Sequence, residues 1–235
     1  MELYHQIEKL DWDKIFTQLN DNGYARVNQV LTDAQCDGLA RDYDKDVLYR
    51  KTINMERYRF GVGEYKYFNY PLPEIIEQIR QSVYPHLATT ANNWMKALNI
   101  SKHFPGNLNE LLRQCHAHDQ NKPTPLILRY DKGGYNALHQ DLYGEIFFPM
   151  QLVLFLNEPG KDYQGGEFVM IEQRPRAQSK AIVLEPAKGD MLIFTTNFRP
   201  VRGTKGYYRV NMKHGISEVT SGRRHTLGII FHDAA

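Results

Sequence analysis

The chain is expected to fold as an α+β protein, helices first and an all-β core after them. Before Pro123, apolar residues recur at helical spacing: Ile7, Leu10, Ile15, Phe16 and Leu19 near the start, and Ile75, Ile76, Ile79, Val83, Leu87, Trp94 and Leu98 further on. After Pro123 the texture changes to short β-rich runs punctuated by Gly, Pro and Asn: LILRY, FFPMQLVLFL, GGEFVMI, AIVLE, DMLIF, YYRVNMKH and RHTLGIIF. No helical pattern separates these runs, so βαβ units are excluded and a sandwich or barrel remains.

The elements follow in order. Residues 2–20 form a helix ending near Asn22-Gly23, and Tyr24 to Val30 a short strand. Thr32-Asp33-Ala34-Gln35 has the form of a capping box and opens a helix to about Tyr43. Lys51 to Tyr70, rich in Tyr, Phe and Arg with Gly61 and Gly63 between, reads as a hairpin or ordered loop. Pro71-Leu72-Pro73 starts a long helix with a bend expected at Pro85, and Asn107 to about Asp119 is a further helix. Residues 1–123 are thus an N-terminal helical, substrate-shaping region and 124–235 the β core, together one compact unit.

At 235 residues and 42% apolar content the chain has enough material for one good-sized core. The formal net charge of +2 announces no nucleic-acid partner, but its distribution is uneven. Glu172 to Arg224 holds eleven Lys/Arg against four Asp/Glu. Two cysteines, Cys36 and Cys115, make no disulfide framework. The charged, amphipathic start lacks the order of a signal peptide, and no apolar run approaches a membrane span, so a cytoplasmic protein is expected.

The chemistry concentrates on His139-Gln140-Asp141. Side chains two apart on a strand share a face, so an imidazole and a carboxylate converge there. Such a pair means little alone: with nine histidines in the chain, roughly half a His-x-Asp is expected by chance. His214, at the end of a β-rich run, supplies a second imidazole. Two His and one carboxylate form the facial set that holds non-haem Fe(II) and leaves positions open. Ten residues on, Arg224 is a cation suited to an anionic co-substrate. The run Cys115-His116-Ala117-His118-Asp119 is a competing cluster, but on a helix positions two apart do not face each other. It reads as a helix end.

These features resemble the double-stranded β-helix, or jelly roll, of Fe(II)/2-oxoglutarate oxygenases, nearest to the prolyl-hydroxylase-like branch. The match runs over residues 125–235: Tyr130-x-x-Gly133 before His139-x-Asp141, Asn157 and Gly165-Gly166-Glu167-Phe168, Pro186-x-x-Gly189-Asp190, and His214 followed by Val219-Thr220-Ser221-Gly222 and Arg224. The resemblance implies Fe(II) held by His139, Asp141 and His214. It implies 2-oxoglutarate clamped by Arg224, with Tyr130 and Thr226 adding hydroxyl contacts, and dioxygen as the oxidant. Succinate and carbon dioxide would be released as a C–H bond is hydroxylated. Arg223 is the alternative clamp, expected on the opposite face.

The whole chain is similar to a bacterial family of 2-oxoglutarate oxygenases described as acting in oxidative demethylation of damaged DNA. The stretches that carry this are Met55-Glu56-Arg57-Tyr58-Arg59-Phe60-Gly61, Pro123-Thr124-Pro125-Leu126, Leu138 to Glu145 and Gly228 to Ala234. The His-Gln-Asp triplet and the Tyr130 spacing are shared with AlkB-type repair dioxygenases, whereas the short His214-to-Arg224 interval is prolyl-hydroxylase-like. The resemblance thus implies a DNA-repair demethylase of alkylated nucleobases. The alternatives are a prolyl, protein or amino-acid hydroxylase and a non-catalytic metal- or 2-oxoglutarate-binding sensor. Candidate substrate contacts are Asn136, Gln140 and Tyr143 around the iron motif, and Arg199 and Arg202 in a basic loop that would bind phosphates near the mouth. Arg174, Arg176 and Lys180 form a second basic loop. Tyr58, Tyr65, Tyr67 and Phe68 would either line a base pocket or pack between helices and sheet.

Overall fold

The computed structural model describes residues 2–141 and 144–235. Among them are five α-helices: α1 (Glu2–Glu8), α2 (Trp12–Asn22), α3 (Asp33–Asp42), α4 (Glu74–Ala97) and α5 (Leu108–His116). Local sequence explains most boundaries. The expected first helix is two, because the Asp11 carboxylate accepts from Lys14 N (3.0 Å) and caps a new start at Trp12. The Thr32/Gln35 capping box is formed, and Asn107 caps α5 through Glu110 N. Pro85 does not end α4, which runs unbroken to Ala97.

Two antiparallel sheets face each other as a double-stranded β-helix. The larger runs in the order β1 (Tyr24–Val27), β11 (Met191–Thr195), β7 (Met150–Phe155), β15 (Arg224–Ile230), β5 (Leu126–Tyr130), β4 (Glu64–Phe68), β2 (Tyr49–Asn54). The smaller runs β10 (Lys180–Leu184), β9 (Phe168–Gln173), β13 (Gly206–Ile216), β6 (Tyr135–His139), β3 (Gly61–Val62), with β12 (Phe198–Gly203) also paired to β13. A separate pair joins β8 (Tyr163–Gly165) to β14 (Val219–Gly222). The chain before Pro123 therefore supplies strands to both sheets besides its helices. Lys51 to Tyr70 is a hairpin of β2 and β4 around the short 3₁₀ turn Met55–Tyr58 and β3.

The apolar run FFPMQLVLFL does not alternate because β7 is buried on both faces. Leu152 and Leu154 join Ile193, Leu227 and Ile229 against the helices, with Ile76, Ile79, Val83 and Leu87 of α4. Val153 and Phe155 point the other way, into a second core between the sheets with Phe168, Met170, Phe194 and Met212. Gln151, Thr226 and Tyr130 share this inward direction and line the space between the sheets. The chain's end is tied down by a buried ion pair, Arg80 Nη2 to Asp233 Oδ1 (2.8 Å).

Two buried histidines make stability depend on pH. Burial first, then the charges of Arg223 and Arg129, lower His225 to about 4. Burial, then Arg80, lowers His232 to about 4. His232 Nδ1 already accepts from Phe148 N (3.1 Å), so the folded state needs the neutral ring. An unfolded histidine titrates near 6.5. Their stabilising effect is therefore complete above pH ~6.5 and is lost as pH falls towards 4, on the order of a few kcal/mol each. The urea midpoint of the metal-free protein is expected to drop across that window. His232→Asn, which keeps an acceptor for Phe148 but takes up no proton, should flatten the drop.

Candidate active site

β6 and β13 bring the two imidazoles side by side. His139 and His214 are direct register partners, with ring centroids 4.3 Å apart. β6 ends at His139, and Asp141 lies just past it, its N–H directed at Thr196 O (3.4 Å). The carboxylate reaches both rings all the same: Asp141 Oδ1 is 3.5 Å from His139 Nε2, and Oδ2 is 3.2 Å from His214 Nε2. Among the described residues this is the group of His, Cys, Asp or Glu placed to hold a metal ion, with its ligand atoms within 4.8 Å of one another. His139 Nδ1 lies 2.8 Å from Ala137 O, which leaves Nε2 as the inward-facing atom. Burial, with His214 next, lowers the His139 pKa against the opposing pull of Asp141. Neutral rings and a carboxylate are the forms that ligate, and two nitrogens with one oxygen suit Fe(II) with positions left open. The Cys115–Asp119 run is used otherwise: His116 contacts Asp233 (3.1 Å), His118 contacts Glu145 (3.2 Å), and Cys115 is buried.

Gln151 belongs to no motif in the sequence, yet it sits against the triad. Its Nε2 donates to Asp141 Oδ2 (2.6 Å) and lies 3.3 Å from His214 Nε2, while Oε1 is buried without a partner. A lone polar residue in a wholly apolar strand was the signal. Partners of this kind orient metal ligands, and losing one typically costs 10–100-fold in metal affinity. Gln151→Leu is expected to weaken Mn(II) binding by about that factor, read by titration, with little change in thermal stability.

Arg224 is 1% exposed, and Nε, Nη1 and Nη2 all lack hydrogen-bond partners. Its guanidinium carbon lies 5.7, 5.5 and 5.8 Å from the ring centroids of Tyr130, Phe155 and Tyr163. Gly166 makes room for it, since a Cβ there would stand 3.0 Å from Arg224 Cδ and 2.9 Å from Val219 Cγ2. Tyr130 is the cross-strand neighbour of Arg224; its hydroxyl is buried beside Asn136, and burial raises its pKa to about 12 although Arg224 and Asn136 oppose this. Thr226 lies two residues on, on the same face of β15. A buried cation and a buried hydroxyl side by side are what a carboxylate of an anionic ligand would satisfy. Arg223 is on the outside, 2.6 Å from Asp131 Oδ1.

A cavity of about 390 Å³ joins the metal triad to Tyr130 and Thr226. Asn136 lines it, as do Tyr65 and Tyr67, whereas Phe68 is in the core. Gln140 borders it, but its Nε2 donates to Asn197 O and Met212 O (both 2.8 Å), holding the loop to β13. Tyr143 lies outside the described residues. Two basic candidates are corrected. Arg199 is not a loop residue: it is 4% exposed and bonded to Glu172 Oε2 (2.6 Å) and Asn20 O (3.0 Å). Arg202 is exposed, but pairs with Tyr207, seven residues before His214 on the same strand. At about 3.3 Å per residue the strand between Tyr207 and His214 spans roughly 23 Å, and Arg202 is not among the residues lining the cavity.

Solved structures with this architecture include a Pseudomonas putida prolyl-4-hydroxylase (TM-score 0.56, 13% identity, covering 95% of this chain and 100% of that one). A Burkholderia pseudomallei oxidoreductase of the 2OG-Fe(II) oxygenase family matches with TM-score 0.51 and 15% identity, over 97% of this chain and 94% of that one. At such identities the likeness speaks for the fold. The uncharacterized protein Rv2227 of Mycobacterium tuberculosis is 45% identical over 168 residues, 72% of each chain. Residues 63–234, which contain the metal triad, Tyr130, Gln151 and Arg224, match one family along most of the chain. The protein belongs to that family, described as an oxygenase catalysing oxidative methylation of damaged DNA.

Proposed function

We propose that this oxygenase is an Fe(II)- and 2-oxoglutarate-dependent dioxygenase that removes N-methyl groups from damaged nucleobases. The observation that carries the co-substrate is the buried Arg224 guanidinium, with no carboxylate partner among the described residues, beside the buried Tyr130 hydroxyl in one fold with a His₂Asp triad. Fe(II), when bound with 2-oxoglutarate and dioxygen, supplies the oxidising power to hydroxylate a C–H bond, with succinate and carbon dioxide released. His139, Asp141 and His214 would hold the metal, with Gln151 fixing the carboxylate. Arg224, Tyr130 and Thr226 would hold the distal carboxylate of 2-oxoglutarate. Asn136 at the cavity wall, and residues 1–123 around it, would present the substrate. Oxidation runs towards loss of a methyl group, not its addition. Hydroxylating an N–CH₃ carbon gives a hemiaminal, whose C–N bond breaks to leave N–H and formaldehyde. Damaged DNA in the family's description is what points this chemistry at nucleobases.

Among the described residues no helix is long and apolar enough to cross a membrane. A cytoplasmic location is part of the same proposal.

Succinate and formaldehyde, measured with Fe(II), 2-oxoglutarate and methylated single- or double-stranded oligonucleotides, test the proposal. Equal yields of both products on a methylated oligonucleotide are expected. Succinate stimulated only by proline-containing peptides, without formaldehyde, would overturn demethylation in favour of hydroxylation. No 2-oxoglutarate turnover with any substrate would leave a binding protein.

A further inference from the structure

An exposed aromatic pair stands beside the cavity. Tyr58 and Phe60 stack on each other, ring centroids 5.5 Å apart and planes 18° from parallel. Both remain open to solvent, at 54% and 46% exposure. Apolar rings gain free energy by burial, and an exposed stacked pair offers a flat face to a partner. Arg57 and Arg59, which interleave with the rings, are also exposed.

The turn is fastened to the metal strand. Phe60 O accepts from Ala137 N (2.8 Å), and Gly61 and Val62 pair with Asn136 and Tyr135 of β6, which ends at His139. At Gly61 (φ +142°) a Cβ would stand 2.2 Å from Tyr135 O, so only glycine lets the turn lie this close. Arg59, held at φ +60°, and Phe60 line the same cavity as His139 and Asp141. Phe60 is thus at the rim of the site, and Tyr58 stacks on it.

We propose that the Arg57–Phe60 turn is a docking platform for single-stranded nucleic acid. A base next to the one being oxidised stacks on the Tyr58/Phe60 pair, and the neighbouring phosphates lie against Arg57 and Arg59. This rests on the nucleobase reading and specifies its substrate as an unpaired strand. Aromatic faces can be covered only by bases that are not stacked within a duplex. The contact is sequence-tolerant, because every base has a π face. Proline-rich peptide also packs on aromatic rings, but its backbone offers the two arginines only neutral carbonyl acceptors, whereas a phosphodiester chain offers them negative charge.

The test uses the full chain with Mn(II) and fluorescence anisotropy of a labelled, methylated single-stranded oligonucleotide. Tyr58→Leu/Phe60→Leu keeps apolar bulk and removes the flat faces; it is expected to weaken binding about tenfold or more. Arg57→Ala/Arg59→Ala is expected to reduce the slope of log affinity against log salt by roughly 1.4, two single-strand phosphate contacts. The same sequence as a duplex should bind more weakly and respond little to the Leu variant. Unchanged melting temperature and Mn(II) affinity establish that the variants fold. Full oligonucleotide affinity in folded variants, while the wild type releases formaldehyde from that oligonucleotide, would overturn the platform and leave demethylation standing. If no oligonucleotide binds or releases formaldehyde, and a proline peptide binds with an affinity the Leu variant loses, both proposals fall and the turn is a peptide site.

Discussion

Arg224→Met is expected to raise the 2-oxoglutarate concentration for half-maximal turnover by about a hundredfold, and yet to make the ligand-free protein more stable. The two effects share one cause. All three guanidinium nitrogens are buried and no carboxylate among the described residues pairs with them, so only the rings of Tyr130, Phe155 and Tyr163 offset this desolvated cation until an anionic ligand arrives. Removing an unpaired buried charge relieves several kcal/mol of desolvation, and Met restores most of the volume. Losing one partner of a buried charge pair costs about 2–5 kcal/mol in ligand binding, or roughly thirty- to several-thousand-fold. Melting curves with and without 2-oxoglutarate separate the effects. The wild type should gain stability with ligand, and the variant should start higher and gain little. Arg223→Ala is the control, since its exposed pairing with Asp131 is of the kind worth less than about 1 kcal/mol. An unchanged 2-oxoglutarate requirement in Arg224→Met would move the clamp to another cation.

Asp141→Ala and His139→Ala are each expected to lower turnover by at least about a thousandfold, as loss of a ligand from a three-ligand centre removes the chemistry the metal supplies. The fold should survive. β6 and β13 are joined through their backbones, and the His139 side chain is one-third exposed, so truncating it opens no closed cavity. Asp141→Ala also strips Gln151 Nε2 of its acceptor in a buried site. A modest loss of melting temperature is therefore expected there and not in His139→Ala. Mn(II) affinity should fall sharply in both. Full activity in either variant would refute the iron assignment.

The sequence by itself determined what is local. The helix starts at Thr32 and Asn107 rest on caps that act within three residues, and the structure forms both, whereas the equally local cap at Asp11 was hidden inside a continuous helical period. Period and composition marked the principal β runs, and strand alternation aimed Arg224 and Thr226 to one side and Arg223 to the other. The His-x-Asp motif was legible because its two ligands are neighbours in the chain. Only the tertiary structure decided what depends on distant partners. Arg199 looked like an exposed base because nothing local shows that Glu172 closes on it from another strand. Gln151 became the donor to Asp141 because β7 runs across from the strand that carries His139. The N-terminal strands β1, β2 and β4 extend the larger sheet on both sides, although they precede the β core in sequence. Arg202, paired on β12 with Tyr207, is carried away from His214 by the seven-residue run of extended β13 between Tyr207 and His214. Periodicity reports that a face is buried, not against what, and charge pairing is a property of three-dimensional neighbours.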